Sequence, residues 1–289
     1  MTINELIIHG GEALQDAVTL PFLDAEVLLA HLLEKNRAYI IAHGSDIISI
    51  EQERQYNNLI GRRAAGEPMA YLTGHKEFYG IDFEVDEAVL VPRPETERLI
   101  DEAQKLITTR YGTSERVRIL DIGTGSGAIG LTLAKILDKQ AQVIATDISS
   151  DSLAVAYENM KRIGVDVELL HGSVYEPLPE GIAQFDLIIS NPPYLTLTEA
   201  EGSTVQSVGL RYEPEHALVA QDDGFAIIAD IIQGATQWLL PYGSLLLEIG
   251  SHHAPRITAA VADTLPEHAV TIIQDFGNED RFAIITPKK

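Results

Sequence analysis

The chain has 289 residues, 45% of them hydrophobic and 22% charged, which is typical of a globular protein and excludes a disordered one. Its 43 acidic and 21 basic residues give a formal net charge of −22, which disfavours binding to the phosphate backbone of nucleic acids. The chain has no Cys, which excludes disulfides, thiolate nucleophiles and zinc-cysteine sites and suits the cytoplasm.

The beginning of the chain, "MTINELIIHGGEALQDA", carries acidic residues early and lacks a charged start followed by an apolar run. It is therefore not typical of a signal peptide. No stretch approaches the roughly 20 apolar residues that span a bilayer. We expect a cytoplasmic protein without membrane contact that acts as a monomer.

The first segment, residues 1–70, has apolar residues at helical spacing and no strand pattern. This predicts an N-terminal helical domain of roughly three or four helices that ends near "GRRAAGEP". Within "FLDAEVLLAHLLEKN", the residues expected on the apolar face are Leu23, Val27, Leu28, His31 and Leu32.

The next segment, residues 71–94, begins with alternating apolar and polar residues in "YLTGHKEFYGIDFEVDEAVLV". Alternation on both sides of Tyr79-Gly80 predicts a β-hairpin. We interpret this segment as a hairpin linker between two domains.

The remaining segment, residues 95–289, alternates strand and helix patterns, and continuous apolar strands such as "LIIS" predict a mainly parallel, doubly wound α/β sheet. Only "GNED" separates the last two strands, which predicts an antiparallel hairpin at one edge. The predicted strands are 118–122, 142–147, 167–171, 185–190, 243–249, 270–275 and 281–286.

A glycine-rich loop follows the first of these strands in "RILDIGTGSGAIGLTLAKIL". Glycines at 123, 125 and 127, with Thr124 and Ser126 between them, permit positive φ and a close approach of a ligand to the backbone. The free N–H groups of the following helix would add donors. A tight turn without a ligand is the alternative interpretation, but it does not require three glycines.

Two acidic residues accompany the glycine loop. Asp147 ends the next strand, where a carboxylate can accept hydrogen bonds from both ribose hydroxyls of an adenosine-containing cofactor, although it could equally cap the next helix. "GTGSGA" also satisfies the pattern of nicotinamide cofactors. Asp121, two residues before Gly123, favours a cationic amino group over a pyrophosphate. S-adenosylmethionine is therefore preferred to NAD as the cofactor.

A buried strand in "FDLIISNPPYLTL" runs directly into Asn191, Pro192, Pro193 and Tyr194. The Asn191 carboxamide oxygen and a carbonyl fixed by the prolines make two acceptors, which suit a planar –NH2 group. Tyr194 adds a flat face. Because such nitrogens are weakly basic, positioning would supply most of the rate. A structural proline turn is the alternative.

Together, "DIGTGSG", "ATD" and "NPPY" resemble class I S-adenosylmethionine-dependent methyltransferases that modify planar amino groups. "GEPMAYLTGHKEFYG", "VLVPRPETE", "LRYEPEHALVA" and "DFGNEDRF" are further similar to the HemK/PrmC family over nearly the whole chain. The resemblance implies a seven-stranded methyltransferase domain and an N-terminal helical domain that docks class-1 peptide-chain release factors. It also implies N5-methylation of the glutamine in their Gly-Gly-Gln motif.

The resemblance also implies roles for individual residues. The loop at 123–127 would hold the methionine part of the cofactor, Asp147 its ribose, and Asn191 to Tyr194 the glutamine amide. Arg93 would lie in a loop against the substrate. One position departs from the family pattern, because Ser173 and Val174 replace an acidic and an aromatic residue near the adenine.

Other functions fit the sequence less well. An adenine-N6 methyltransferase acting on DNA or RNA has a similar acceptor motif, but it would need a basic channel. A non-catalytic cofactor-binding regulator would not need an intact "NPPY". Adjacent His252 and His253 lack further ligands, so no metal is expected. Glu248 could face the site or form a salt bridge at the edge of the sheet.

Overall fold

The computed structural model describes residues 1–112, 115–201 and 209–288. The chain forms two compact units, one of Met1–His75 with the described residues of Glu201–Tyr212, and one of Lys76–Ala200 with Glu213–Lys289 as far as it is described. Within these ranges no helix is long and apolar enough to cross a membrane. The domain boundaries 1–70, 71–94 and 95–289 stay a prediction.

The first unit is a helical bundle. Gly10 permits its first and fourth helices to pack closely, because a Cβ there would lie 2.2 Å from the Tyr56 hydroxyl. That hydroxyl donates to the carbonyl of Ala25 in the second helix. The helices are α1 (Ile3–Leu14), α2 (Pro21–Leu32), α3 (Arg37–Ala42), α4 (Ile50–Ala64) and α5 (Met69–Thr73).

The predicted apolar face of α2 is partly wrong. His31 is exposed, and the buried positions are Ala25 and Leu28 to Ala30. The buried face is therefore rotated from the predicted one, since the small Ala25 and Ala30 pack inward and the imidazole remains in solvent.

A β-hairpin follows, in which β1 (His75–Phe78) and β2 (Ile81–Glu84) form a two-stranded sheet. Both residues of its turn have positive φ, 53° at Tyr79 and 73° at Gly80, as a tight hairpin turn requires. The predicted hairpin is therefore present, but it begins later than Tyr71, because α5 occupies Met69–Thr73 and ends at the left-handed Gly74.

The second unit is built on one main sheet, whose strand order is β5-β4-β3-β6-β7-β9-β8 among the described residues. The first five of these strands are parallel, and β9 pairs antiparallel with both β7 and β8. The strands are β3 (Val117–Ile122), β4 (Ala141–Asp147), β5 (Val167–His171), β6 (Phe185–Ser190), β7 (Leu239–Glu248), β8 (His268–Gln274) and β9 (Asp280–Pro287).

Helices cover both faces of the main sheet. The larger apolar core packs β-strand residues such as Leu120 and Ile188 against Ile231 and Ile257 of two helices. The doubly wound, mainly parallel fold and its terminal antiparallel hairpin are thus confirmed. The helices are α6 (Glu97–Tyr111), α7 (Ala128–Leu137), α8 (Ser150–Ile163), α9 (Leu197–Ala200), α10 (Glu215–Leu218), α11 (Gln221–Gly224), α12 (Ala226–Trp238) and α13 (Ala254–Thr264), with short 3-10 helices at Pro94–Thr96 and Asp138–Gln140.

Candidate active site

Three parallel strands end at the same level of the main sheet. Ile122 of β3 is in register with Thr146 of β4 on one side and with Ser190 of β6 on the other. Strand order reverses between β3 and β6, which is the position where open α/β sheets bind ligands. The loops that follow Ile122, Asp147 and Ser190 are therefore neighbours.

The glycine loop is held by the end of β4. The amides of Gly123 and Thr124 donate to the Thr146 carbonyl at 2.9 and 3.1 Å, and the Gly125 amide donates to Asp147 Oδ2 at 2.8 Å. Gly123, Gly125 and Gly127 all have positive φ, at 69°, 56° and 85°. The loop therefore has the positive φ values that its three glycines predicted.

Asp121 lies beneath the loop and is fully buried. Its Oδ2 accepts from the Thr124 hydroxyl at 2.6 Å and from the Gly130 amide at 2.9 Å, while Oδ1 has no partner among the described residues. Burial raises the pKa of Asp121 to about 6, against the effect of these two hydrogen bonds. The hydrogen bonds of the Asp121 side chain are therefore with the glycine loop and with the first turn of α7.

Asp147 faces the cavity with its backbone and side chain fixed. Its Oδ1 accepts from the Ser149 amide at 2.9 Å, and its carbonyl accepts from the Gly172 amide at 2.9 Å. The residue that caps α8 is Ser149, whose side chain accepts from Ser152. The alternative role of Asp147 as the helix cap is therefore wrong.

A cavity of about 480 Å³ lies over these strand ends, within the range of roughly 300–1,000 Å³ common for small-molecule sites. The predicted cofactor residues in its lining are Gly123, Thr124, Gly125, Ser126, Asp147, Ser173 and Val174. The predicted substrate residues in its lining are Arg93, Asn191 and Pro193. Among the described residues, the lining does not include Asp121, Gly127, Pro192 or Tyr194.

The four residues of "NPPY" have different surroundings. Asn191 and Pro193 are half-buried and line the cavity, whereas Pro192 is buried. Tyr194 packs against the larger apolar core and donates its hydroxyl to Glu248 Oε1 at 3.0 Å. Burial raises the pKa of the Tyr194 hydroxyl. The guanidinium of Arg281 lies over the Tyr194 ring, 5.9 Å from its centroid, so a cation already occupies that face.

The carboxamide of Asn191 contacts a buried polar pair. Its Nδ2 lies 3.2 Å from Thr96 Oγ1, and that hydroxyl lies 2.6 Å from Glu248 Oε2. Thr96 is 4% exposed and Glu248 is 2% exposed. Glu248 belongs to β7, which lies between β6 and β9, so the salt bridge at a sheet edge is not its role.

Arg93 is held by a carboxylate. Its Nη2 donates to both side-chain oxygens of Glu213, at 2.8 and 2.6 Å, and the Glu213 side chain is 2% exposed. Burial raises the pKa of Glu213, and the charge of Arg93 opposes this. The pair ties the loop before α6 to the segment before α10.

Several lining residues were not predicted from the sequence. Ile148, 60% exposed, follows Asp147, and Ile227 and Asp230 come from α12. Phe78 of β1 also lines the cavity. The position of Ile148 directly after the acidic strand end is a signal that sequence reasoning could have used. Nothing in the pattern of α12 distinguishes its cavity-facing residues from its core residues.

The cavity fits an adenosine-containing methyl donor. A Cβ added at Gly123 or Gly125 would meet no atom within 4 Å, so the loop presents bare backbone to open space. Asp147 supplies carboxylate acceptors beside it, and Val174 and Ile148 supply apolar surface. This combination suits a ribose and a planar base next to a charged chain.

Family models match both parts of the chain. A PrmC N-terminal domain matches residues 5–74, and a methyltransferase small domain matches residues 96–208. With the strand order and the cavity described above, the chain is a Rossmann-like methyltransferase, a class that implies a methyl donor of the S-adenosylmethionine type.

Relatives of known name identify the particular family. The release factor glutamine methyltransferase of Bordetella pertussis is 42% identical over 231 residues, which covers 80% of this chain and 82% of the relative. That of Vibrio cholerae is 36% identical over 287 residues, covering 98% and 96%. The chain belongs to the release factor glutamine methyltransferase family. The resemblance to HemK/PrmC proteins is thus confirmed.

Solved structures share the fold at low sequence identity. The hMettl16 catalytic domain, crystallised with the MAT2A 3′UTR hairpin 1, has a TM-score of 0.57 at 14% identity and covers 90% of both chains. A methyltransferase from Pyrococcus furiosus has a TM-score of 0.50 at 20% identity, covering 81% of this chain and 98% of that one. These similarities concern the fold alone.

Proposed function

We propose that this enzyme transfers a methyl group from S-adenosylmethionine to the side-chain amide nitrogen of the glutamine in the Gly-Gly-Gln motif of class-1 peptide-chain release factors. The observation that carries the proposal is the position of Asn191, which lines the cavity at the end of β6, beside the glycine loop after β3. The names of the relatives support the same substrate.

The cofactor would lie along the ends of β3 and β4. The backbone from Gly123 to Gly127 would contact its methionine part, with Asp121 holding the loop from below through Thr124. Asp147 retains free lone pairs on both oxygens for the ribose hydroxyls. Ser173 and Val174 would border the adenine. The bound donor supplies an electrophilic methyl group on a sulfonium.

The substrate amide would be held by two acceptors. Asn191 Oδ1 would accept one hydrogen of the –NH2 group, and the carbonyl of Pro192, whose direction is fixed by the restricted φ of the two prolines, would accept the other. An amide nitrogen is barely basic, so the gain comes from fixing it in line with the methyl group. Tyr194 would support this loop from the core side, and Arg93 would border the substrate.

The substrate is proposed to be a protein, with the enzyme acting as a monomer and without direct contact to nucleic acid. An adenine-N6 methyltransferase would use the same pair of acceptors for an exocyclic amine. The charge of −22 disfavours that alternative because DNA and RNA would be repelled. The N-terminal helical unit is the proposed docking domain for the release factor.

The test supplies methyl-labelled S-adenosylmethionine with a purified class-1 release factor, with a Gly-Gly-Gln peptide and with duplex DNA in parallel. Mass spectrometry then locates the label. We expect it on the glutamine of the intact release factor. Label on adenine, or on a different residue of the release factor, would contradict the proposal.

A further inference from the structure

The proposed clamp needs one particular orientation of the Asn191 side chain. A carboxamide has nearly the same shape when its oxygen and nitrogen are exchanged, but only one orientation offers an acceptor to a substrate –NH2 group. The inference below rests on the proposed function and concerns what selects that orientation.

Thr96 is the residue in contact with the Asn191 amide. Its hydroxyl lies between Asn191 Nδ2, at 3.2 Å, and Glu248 Oε2, at 2.6 Å. A hydroxyl has one hydrogen, and an ionised carboxylate has only acceptors. The Thr96 hydrogen must therefore point to Glu248, which leaves an oxygen lone pair facing Asn191. Only the –NH2 end of the carboxamide can bond to that lone pair.

Glu248 is also hydrogen-bonded at its second carboxylate oxygen. Its Oε1 accepts from the Tyr194 hydroxyl at 3.0 Å. Arg281 lies over the Tyr194 ring, and its Nε donates to Asp275 Oδ2 at 3.0 Å. Burial raises the pKa of Glu248, while Thr96, Tyr194 and the charge of Arg281 act in the opposite direction. Both carboxylate oxygens thus have a donor.

We propose that Thr96 and Glu248 are positioning residues that turn the Asn191 carboxamide so that its oxygen faces the substrate amide. Neither residue needs to touch the substrate, since Glu248 acts through Thr96 and Thr96 acts through Asn191. The Thr of "PRPETE" and the acid that ends "LLLE" thereby acquire a function in catalysis.

The first test replaces Thr96 with Val, which keeps the shape and removes the hydroxyl. With release factor and labelled S-adenosylmethionine, kcat falls by about tenfold or more, since the carboxamide loses its fixed orientation. KM for the release factor and Kd for the cofactor stay within about twofold of wild type. Thr96→Ser keeps the hydroxyl and restores kcat. Thr132→Val, the same change at a buried threonine of α7 outside the cavity, leaves kcat unchanged.

A double-mutant cycle separates positioning from a general structural effect. If Thr96 acts through Asn191, Thr96→Val causes no further loss of kcat in an Asn191→Ala background. Equal losses in both backgrounds, or wild-type kcat for Thr96→Val, would overturn the inference. Should Thr96→Val not be recovered folded, Glu248→Met is compared in the same two backgrounds with the same expectation, because loss of both carboxylate oxygens releases the Thr96 hydrogen.

The wild-type enzyme in the same assay separates failure of the proposed function from failure of the positioning role of Thr96. Absence of label from the glutamine with wild-type enzyme would defeat the proposed function and the inference together. Wild-type labelling of the glutamine with unchanged Thr96→Val turnover would defeat the inference alone.

Discussion

At the scale of single residues, the three loop glycines are needed for different reasons. A Cβ at Gly127 would lie 2.5 Å from Leu131 Cδ1, so this glycine permits packing within the first turn of α7. At Gly123 and Gly125, which line the cavity, a Cβ would meet nothing within 4 Å. We propose that these two glycines keep space for the cofactor.

Gly125→Ala tests this difference. We expect Kd for S-adenosylmethionine to rise by at least about tenfold, because the methyl group takes cofactor space and the positive φ is strained for Ala. Gly164→Ala is the matched control, since Gly164 also has a positive φ of 74° and open space around its Cβ, but it ends α8 away from the cavity. Calorimetric titration measures Kd for S-adenosylmethionine in both variants. Equal Kd values would contradict the proposed role of Gly125.

Asp121 gives a prediction about pH. Its pKa is raised by burial from 3.8 to about 6, so the folded state binds more protons than the unfolded state between these values. The buried carboxyl therefore does not lower the free energy of unfolding below about pH 4. Its destabilising effect grows as pH rises and reaches roughly 3 kcal/mol above pH 6. Asp121→Asn keeps an acceptor for Thr124 and Gly130 without the charge.

The measurement is urea unfolding of wild type and Asp121→Asn between pH 4 and pH 7. The free energy of unfolding of the wild type should fall relative to the variant by roughly 3 kcal/mol over this range. Parallel pH dependences would show that Asp121 is not titrating in the folded protein.

The sequence predicted which residues lie at the strand ends, but it did not predict in which direction their side chains point. The order of motifs along the chain placed Asn191 and Asp147 at strand ends, because parallel strands share one edge. Whether a side chain points to the cavity or into the core depends on packing partners that are distant in sequence. Tyr194 faces Glu248 and Arg281 for that reason, and Thr96 was not predicted at all.

At the scale of elements, the Arg93–Glu213 pair joins two loops that are 120 residues apart in sequence. Arg93→Met would leave the Glu213 carboxylate buried without its cation. We expect the free energy of unfolding to fall by about 2 kcal/mol, which is less than for a fully buried pair because the Arg93 side chain is 33% exposed.

The double variant Arg93→Met/Glu213→Leu is the control for this pair. It should recover much of the stability, because no unpaired charge remains. Urea unfolding of the single and double variants measures the coupling. If the losses in free energy of unfolding from the two single substitutions simply added in the double variant, Arg93 and Glu213 would not be energetically coupled.

Elements of the main sheet were predictable because their strands are continuous apolar runs between clear helix patterns. The hairpin turn at Tyr79-Gly80 was predictable from its flanking alternation. The short α5 was not, since five residues carry too little periodicity, and the alternation after Tyr71 resembles a strand. His31 was misplaced because it lies between Leu28 and Leu32 in helical spacing, whereas the buried face of α2 includes Ala25 and Ala30 instead.

At the scale of the whole molecule, we propose that cofactor binding and substrate docking belong to different units. All the lining residues of the cavity belong to Lys76–Ala200 or to the segment after Glu213. We therefore expect deletion of residues 1–70 to leave Kd for S-adenosylmethionine within about twofold of wild type while methylation of intact release factor falls by more than tenfold.

A free Gly-Gly-Gln peptide is the control substrate for this deletion. Its methylation should change little, because a short peptide has no docking surface to lose. Calorimetry and label incorporation provide the two readouts. Loss of cofactor binding together with methylation would indicate a single folding unit instead of two roles.

The central claim is that the Asn191 carboxamide orients the substrate nitrogen, and the most direct test is the turnover of Asn191→Ala at saturating release factor and S-adenosylmethionine. Loss of a hydrogen bond that acts in the transition state costs about 3 kcal/mol, so kcat should fall by about a hundredfold or more while cofactor Kd changes little. Asn191→Asp should also be impaired, because the new carboxylate cannot donate to Thr96. Turnover of Asn191→Ala near the wild-type value would contradict the clamp and leave "NPPY" as a structural turn.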